Sequence, residues 1–195
     1  MIKITKTPYV WHVVKRHVTG KVLDLGAGTA WSCLECKKLG LDVVAVDFLD
    51  SSLKALKSMH FKTVKHDLNE FPYPFENGSF DTVLLIHVIE HLYSPFKTLV
   101  EIRRILKKNG TLILACPNAN EKIQRSWKGP ESEVEGAKHL YGFVPKTLKL
   151  TVEKAGLNVK KYYVNVALVS KPRLVTLFQP IFKLLGQDTW FVCGK

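Results

Sequence analysis

Nine residues, Val22-Leu23-Asp24-Leu25-Gly26-Ala27-Gly28-Thr29-Ala30, limit this chain more than any other segment. Val22, Leu23 and Leu25 form an apolar run that no proline interrupts, which reads as a buried strand. Gly26 and Gly28 follow at once. Without a Cβ, each lets the backbone take positive φ and lets a ligand approach closely. A helical pattern begins just after them. A second apolar strand, 42–46, ends in Asp47, about twenty residues beyond the glycines, where a nucleotide-binding αβ unit places a carboxylate for ribose hydroxyls. The segment therefore predicts an adenosine-containing cofactor.

The remaining sequence continues the alternation of strand and helix. Strands are expected at 21–25, 41–46, 61–66, 80–86, 111–115, 159–169 and 189–193. Helices are expected at 7–18, with Pro8 in the first turn, and at 29–39, closed by Gly40. Others should start at Asp50 or Ser51 and run to about Ser58, and start at Ser94-Pro95 and stop at Asn109-Gly110. Two more are expected from Pro145 to Ala155 and over 172–185. This pattern predicts an α/β fold with a parallel sheet and helices on both faces. Two stretches break the rhythm. Residues 67–78 are rich in turn formers, and the polar stretch from 117 to about 144 is expected to be an inserted lid or substrate loop. The 195 residues read as one domain, 1–195, with the helix at about 7–18 as an N-terminal cap.

Composition excludes some classes. No apolar run reaches the ~18 residues of a membrane span, and no apolar segment follows the N-terminal lysines as in a secretory signal. A cytoplasmic protein is expected. The net charge of +12 suits nucleic acid, anionic lipid or an anionic substrate, or a surface of solvated lysines. The basic pairs Lys37-Lys38, Lys107-Lys108 and Lys160-Lys161 are scattered rather than clustered. Cys33-Leu34-Glu35-Cys36 is a CxxC at the start of a helix, as in redox motifs. Its place inside the first crossover helix, with no second CxxC to complete a four-thiolate zinc site, favours a structural role. His87-Val88-Ile89-Glu90-His91 spells H-x-x-E-H, an inverted zinc-protease pattern. The end of a strand falls within it and should splay the two rings, and a third ligand is wanting, so no metal is expected. A dinucleotide fits poorly, since Trp31 stands where Gly-x-Gly-x-x-Gly has its third glycine.

Several fragments occur in the order of one family. Asp24-Leu25-Gly26-Ala27-Gly28-Thr29-Ala30 resembles its D/E-x-G-x-G-x-G motif, and Val44-Ala45-Val46-Asp47 its acidic second-strand motif. Asp67-Leu68, Phe71-Pro72 and Gly78-Ser79-Phe80-Asp81 resemble its third-strand loop and the entry to strand four. Glu90-His91-Leu92 and 106–112 resemble the segments that follow. In these motifs the chain resembles the class I S-adenosylmethionine-dependent methyltransferases, with the closest likeness to a small-molecule group that includes the ubiquinone and menaquinone enzymes. The resemblance covers most of the chain. It implies a Rossmann-like, seven-stranded, mostly parallel sheet whose last strand is antiparallel, with S-adenosylmethionine as cofactor. One departure falls at the cofactor itself. Ala30 replaces the family's third glycine, and its methyl is expected to crowd the helix start.

The resemblance also implies roles. Gly26, Ala27 and Gly28 would face the methionine half of the cofactor, and Asp24 would orient the loop or reach the amino group. Asp47 would accept from the ribose, or else cap a helix. Phe48 would pack against adenine, or else fill the core. Asp67 would accept from the adenine amino group with Leu68 against the ring, or Asp67 would only form a turn. His87, at the end of strand four, would contact cofactor or substrate. His139 is the first candidate for a general base or acceptor-orienting residue and His91 the second, the alternative for His139 being to pack the insert onto the domain. Tyr9, Trp11 and His12 would close over the cofactor. The expected acceptor is a small or lipid-like molecule. RNA or protein, and a non-catalytic cofactor-binding domain, stand as alternatives. Residues 173–185 are apolar enough to lie on a membrane surface or against a greasy substrate, and equally to be packed core.

Overall fold

The computed structural model describes residues 10–119, 139–165 and 188–195. Seven strands form one sheet: β1 Lys21–Leu25, β2 Asp42–Asp47, β3 Lys62–Lys65, β4 Phe80–Ile86, β5 Leu106–Pro117, β6 Asn158–Asn165 and β7 Asp188–Gly194. Their order is β3-β2-β1-β4-β5-β7-β6. β7 runs antiparallel to β5 and β6, and the other pairs are parallel. The described helices are α1 Trp11–Val14, α2 Trp31–Lys38, α3 Asp50–Ser58, α4 Pro95–Ile105 and α5 Pro145–Lys154. No helix among the described residues is long and apolar enough to cross a membrane.

Alternation along each strand divides the core between the two faces. Val22, Ala45, Leu84 and Ile113 pack on one face with Trp11 of α1, Cys33 and Cys36 of α2 and Leu56 of α3. Leu23, Val44, Leu85 and Leu114 pack on the other with Leu99 and Ile102 of α4 and Leu148 and Val152 of α5. Both faces are covered, which is why the parallel strands read as continuous apolar runs. From β1 the chain steps outward to β2 and β3, then returns to the other side of β1 as β4. Strand order reverses there, and in such sheets the ligand crevice falls beyond the C-terminal ends of the strands flanking the switch, here β1 and β4.

Several boundaries differ from expectation. α4 stops at Ile105 rather than at Asn109-Gly110, because Leu106 is buried and pairs with Phe80 across the β4–β5 ladder. Tertiary pairing overrides the helix preference of Lys107 and Lys108 there. Neither Asp50 nor Ser51 caps α3. Leu49 holds the N-cap position without a side-chain bond, and Asp50 lies in the first turn. Ser94 occupies the N-cap of α4, but its hydroxyl makes no capping bond. The N-terminal helix is one turn, Trp11–Val14, continued by a 3₁₀ turn over Lys15–His17. The expected helix at 172–185, most of the insert (120–138) and the end of the long strand past 165 lie outside the described residues. Cys33 and Cys36 are buried thiols outside any disulfide, and burial pushes both well above the usual thiol range. That environment suppresses thiolate chemistry.

Candidate functional site

The glycine turn is tied to the neighbouring strand by its backbone. The N–H groups of Gly26 and Ala27 donate to the Val46 carbonyl at 2.9 and 3.0 Å. Gly28 N–H donates to Asp47 Oδ2 at 2.9 Å, and Leu49 N–H donates to Oδ1 of the same carboxylate at 2.9 Å. Asp47 thus clamps the turn after β1 to the turn after β2, and each oxygen keeps a second lone pair for a ligand hydroxyl. Gly26 has φ +73°, and a Cβ there would lie 2.6 Å from Val88 Cγ2. At Gly28, φ +44°, a Cβ would meet nothing nearer than the Gly26 carbonyl oxygen at 3.8 Å. Space for a ligand therefore opens over Gly28, while Gly26 is filled by its neighbour across the switch point.

Asp24 is buried and turned into the start of α2, where it accepts from the Ser32 hydroxyl and, at 3.1 Å, from the Cys33 thiol. Burial holds its carboxyl above the usual range, against the opposing effect of those two donors. Both donors belong to the first turn of α2, so Asp24 ties the end of β1 to that helix. Ala30 adopts φ +64° at the N-cap of α2, the left-handed conformation that a glycine would take. Its methyl is buried in the core beside Trp11 and Cys33. The departure from the family pattern therefore carries about 1–2 kcal/mol of backbone strain instead of an obstruction facing the crevice.

Phe48 is 51% exposed beside Asp47, so it does not fill the core. Asp67 Oδ1 accepts from the Asn69 backbone and side chain at 2.9 and 3.1 Å, which makes it a turn former in this structure. Leu68 is buried in the core, and its carbonyl receives the Tyr73 hydroxyl at 3.0 Å. Trp11 is fully buried, edge-on to Trp31 with ring centroids 5.6 Å apart. It anchors α1 in the core, while Tyr9 lies outside the described residues.

Across the crevice, β4 ends in a cluster of histidines around one carboxylate. His87 takes φ +54°, and its N–H donates to the Ala115 carbonyl at 2.9 Å. Glu90 and His91 follow in a 3₁₀ turn, Ile89–His91. Glu90 is 2% exposed, and neither carboxylate oxygen has a hydrogen-bond donor. His87 Nδ1 stands 3.7 Å and His91 Nε2 3.9 Å from Glu90 Oε1, and Asp188 Oδ2 is 3.9 Å from His87 Nε2. The Glu90 carbonyl accepts the N–H groups of Leu140 and Tyr141 at 2.8 and 3.1 Å, which brings in His139. The rings of His139 and His91 lie 4.8 Å apart. Burial lowers the His139 pKa, and the charges of His91 and His87 lower it further against Glu90. Burial also pulls the His87 pKa down, but the Glu90 carboxylate 3.7 Å away and the charge of Asp188 outweigh that and raise it. Sequence reasoning missed Asp188 and Val88, because a β7 residue and a plain valine carry no local signal. The loneliness of Glu90 likewise depends on what packs around it.

Comparison with known proteins agrees with this geometry. A family model described as a methyltransferase domain matches residues 12–162. The chain is 28% identical over 132 residues to a ubiquinone biosynthesis O-methyltransferase of Maricaulis maris, covering 65% of this chain and 49% of that protein. It is 37% identical over 95 residues to a demethylmenaquinone methyltransferase of Corynebacterium glutamicum, covering 49% and 40%. The chain spans about half the length of the curated relatives it matches. A solved S-adenosylmethionine-dependent methyltransferase from Archaeoglobus fulgidus shares the fold, with TM-score 0.66, 20% identity and coverage of 95% and 93%. The match of that family model to most of the sequence places this chain in the methyltransferase domain family.

Proposed function

We propose that the chain is an S-adenosylmethionine-dependent methyltransferase that acts on a small or lipid-like acceptor. The observation that carries this reading is the Gly28–Asp47 clamp at the switch point, with open space over Gly28 and the exposed ring of Phe48 beside it. Those residues fit the cofactor: Asp47 offers lone pairs to the ribose and Phe48 a face to adenine, while the open backbone at Gly28 admits the methionine half. The cofactor supplies a methyl on a positively charged sulfur that leaves readily. What remains for the protein is to align the acceptor, exclude water and take a proton, and alignment carries much of such a rate. His139, held neutral at pH 7 by its lowered pKa, is suited to accept that proton. Tyr93, Leu140 and Tyr141 are exposed beside it, and the Tyr141 hydroxyl donates to the Tyr93 carbonyl at 3.1 Å. This apolar rim suits a greasy ring, in keeping with relatives named for ubiquinone biosynthesis and for methylation of demethylmenaquinone.

Calorimetric titration with S-adenosylmethionine and S-adenosylhomocysteine tests the reading. Both should bind one per chain, and Asp47→Ala should weaken both by at least about tenfold, the ~1.4 kcal/mol of one good polar contact. Absence of binding by either ligand, or full affinity in Asp47→Ala, would sink it.

A further inference from the structure

We infer that the outer face of α4 and α5 docks on an anionic lipid bilayer, beside the mouth of the crevice. Nine large apolar side chains are exposed among the described residues, and seven of them gather along these two helices and the turns that lead into them. Only Leu39 and Phe48 lie elsewhere. Phe96 and Val100 are one helical turn apart on α4, hence on one face. Leu150 stands on α5 and is 56% exposed. The two helices lie side by side and point the same way. At their starts the Tyr141 hydroxyl reaches the Tyr93 carbonyl, and at their ends a Cβ on Gly156 would lie 2.8 Å from Arg103 Nε. Their inner stripes, Leu99 and Ile102 with Leu148 and Val152, share one core, so Phe96, Val100 and Leu150 are turned outward together.

The second observation is charge. Lys97 and Arg103 of α4 and Lys146 and Lys154 of α5 are exposed on these helices, and none has a carboxylate partner among the described residues. The acids of the two helices are already paired, Glu101 with Arg104 at 2.7 Å and Glu153 with Lys149 at 3.6 Å. Apolar side chains gathered on one exposed face mark a contact surface, unlike the same residues scattered singly. The four cations select what makes the contact. A second copy would set like charges against each other, and an uncharged apolar partner would leave them unpaired. An anionic bilayer meets both needs. Its boundary between headgroups and acyl chains takes the apolar side chains, and the lysine and arginine stems lie along that boundary with their charges at the phosphates. Each such cation raises partitioning onto an anionic surface by roughly fivefold. An acidic protein would also answer the charge, but a bilayer accounts as well for the run of apolar side chains into the rim formed by Tyr93, Leu140 and Tyr141 beside His139. Resting on the lipid-like acceptor reading, that continuity faces the site toward the layer that would hold such an acceptor. This face is not the stretch 173–185 expected to lie on a membrane, which is outside the described residues.

The test is sedimentation of the full chain with vesicles of phosphatidylcholine, alone or mixed with phosphatidylglycerol. The chain should pellet with the anionic vesicles and at least about tenfold less with the neutral ones. Lys97→Glu with Lys146→Glu should weaken binding to anionic vesicles by more than about tenfold. Val100→Ser with Leu150→Ser should weaken it by about tenfold or more, since two large apolar side chains leave the membrane. All four positions are exposed, so both double variants should keep the wild-type urea midpoint and S-adenosylhomocysteine affinity. Equal pelleting with both kinds of vesicle, or pelleting that neither double variant changes, would overturn the docking face. Absent pelleting would also overturn it, and a dimer or an acidic-protein complex lost in the serine pair would then reassign the face. Cofactor binding without vesicle binding defeats this inference alone, and vesicle binding without cofactor binding defeats the methyltransferase reading alone.

Discussion

Gly26, Ala30 and Asp47 show how much of the site a residue's type reveals. The need for positive φ at Gly26 was legible, because a paired-glycine turn after a buried strand has few other uses. The same need at Ala30 was not, since alanine does not advertise a left-handed conformation. Asp47 was legible as an acid at the right distance, but its bond to Gly28 N–H depends on how two turns meet. Gly26 is doubly constrained, by φ +73° and by Val88. Gly26→Ala should therefore destabilise the protein by about 2–4 kcal/mol, combining ~1–2 for the left-handed backbone with ~1–3 for overpacking. Adding Val88→Ala should recover the packing part and leave the backbone part. Urea unfolding of both variants checks this, and a double variant no more stable than Gly26→Ala would show that Val88 is not the obstacle.

At the scale of elements, strand identity was legible and helix ends were not. Apolar runs located β1, β2 and β4 closely, because burial on both faces leaves an unbroken signal, whereas β5 begins at Leu106, ahead of the expected 111, and β3 is a short, partly exposed strand. The end of α4 depended on Leu106 pairing with Phe80, a contact between segments far apart in sequence. The loop before β4 hid its anchor for the same reason. Arg104 of α4 donates to the carbonyls of Phe75 and Tyr73 at 2.7 and 3.0 Å and to Asn77 Oδ1 at 2.9 Å. It is paired with Glu101 at 2.7 Å, and Glu101 in turn accepts the Tyr73 N–H at 2.9 Å. One ion pair on a helix thus holds the turn-rich loop 67–78. Arg104→Ala should cost about 1.5–3 kcal/mol, the range for hydrogen bonds to a charged group. The pH dependence follows from Glu101. The bond from Arg104, aided by the Tyr73 amide and opposed by burial, holds its carboxyl below the usual range. Its contribution is fully present above its unfolded value, near 4.5, and is lost as pH falls through the lower folded value. The stability gap between wild type and Glu101→Gln, read by urea midpoints, should stay constant from neutral pH to about 5 and shrink below that. A gap independent of pH would mean that the carboxylate charge does not hold the loop.

For the whole molecule, the order of elements announced a parallel sheet with helices on both faces, whereas the histidine cluster was illegible as a unit. His87, Glu90 and His91 are adjacent in sequence, but His139 and Asp188 reach them only through the insert and β7. Net charge is the one global property that sequence supplied without saying what it meant. In the structure some of the positive side chains are locally answered. Lys62 pairs with Asp42 at 3.1 Å, Lys65 with Asp50 at 2.7 Å, Lys107 with Asp81 at 2.8 Å and Lys38 with Glu35 at 2.6 Å, on separate parts of the sheet and its helices. Exposed pairs of this kind add little stability, but they break the field into small patches. A track for a phosphate backbone needs several uncompensated cations in a row, and each one neutralised adds to the salt dependence of binding. Any affinity for RNA should therefore be non-specific and fall steeply between about 50 and 200 mM salt. Cofactor affinity over the same range should change little, because Asp47 is buried and bound by backbone amides that salt screens weakly. Filter binding of structured RNA beside calorimetry with S-adenosylhomocysteine separates the two. RNA retention at 200 mM salt with a preference for one fold or sequence would move the acceptor from a small molecule to RNA, and parallel loss of both affinities would place the cofactor's contacts on the open surface instead of in the Asp47 clamp.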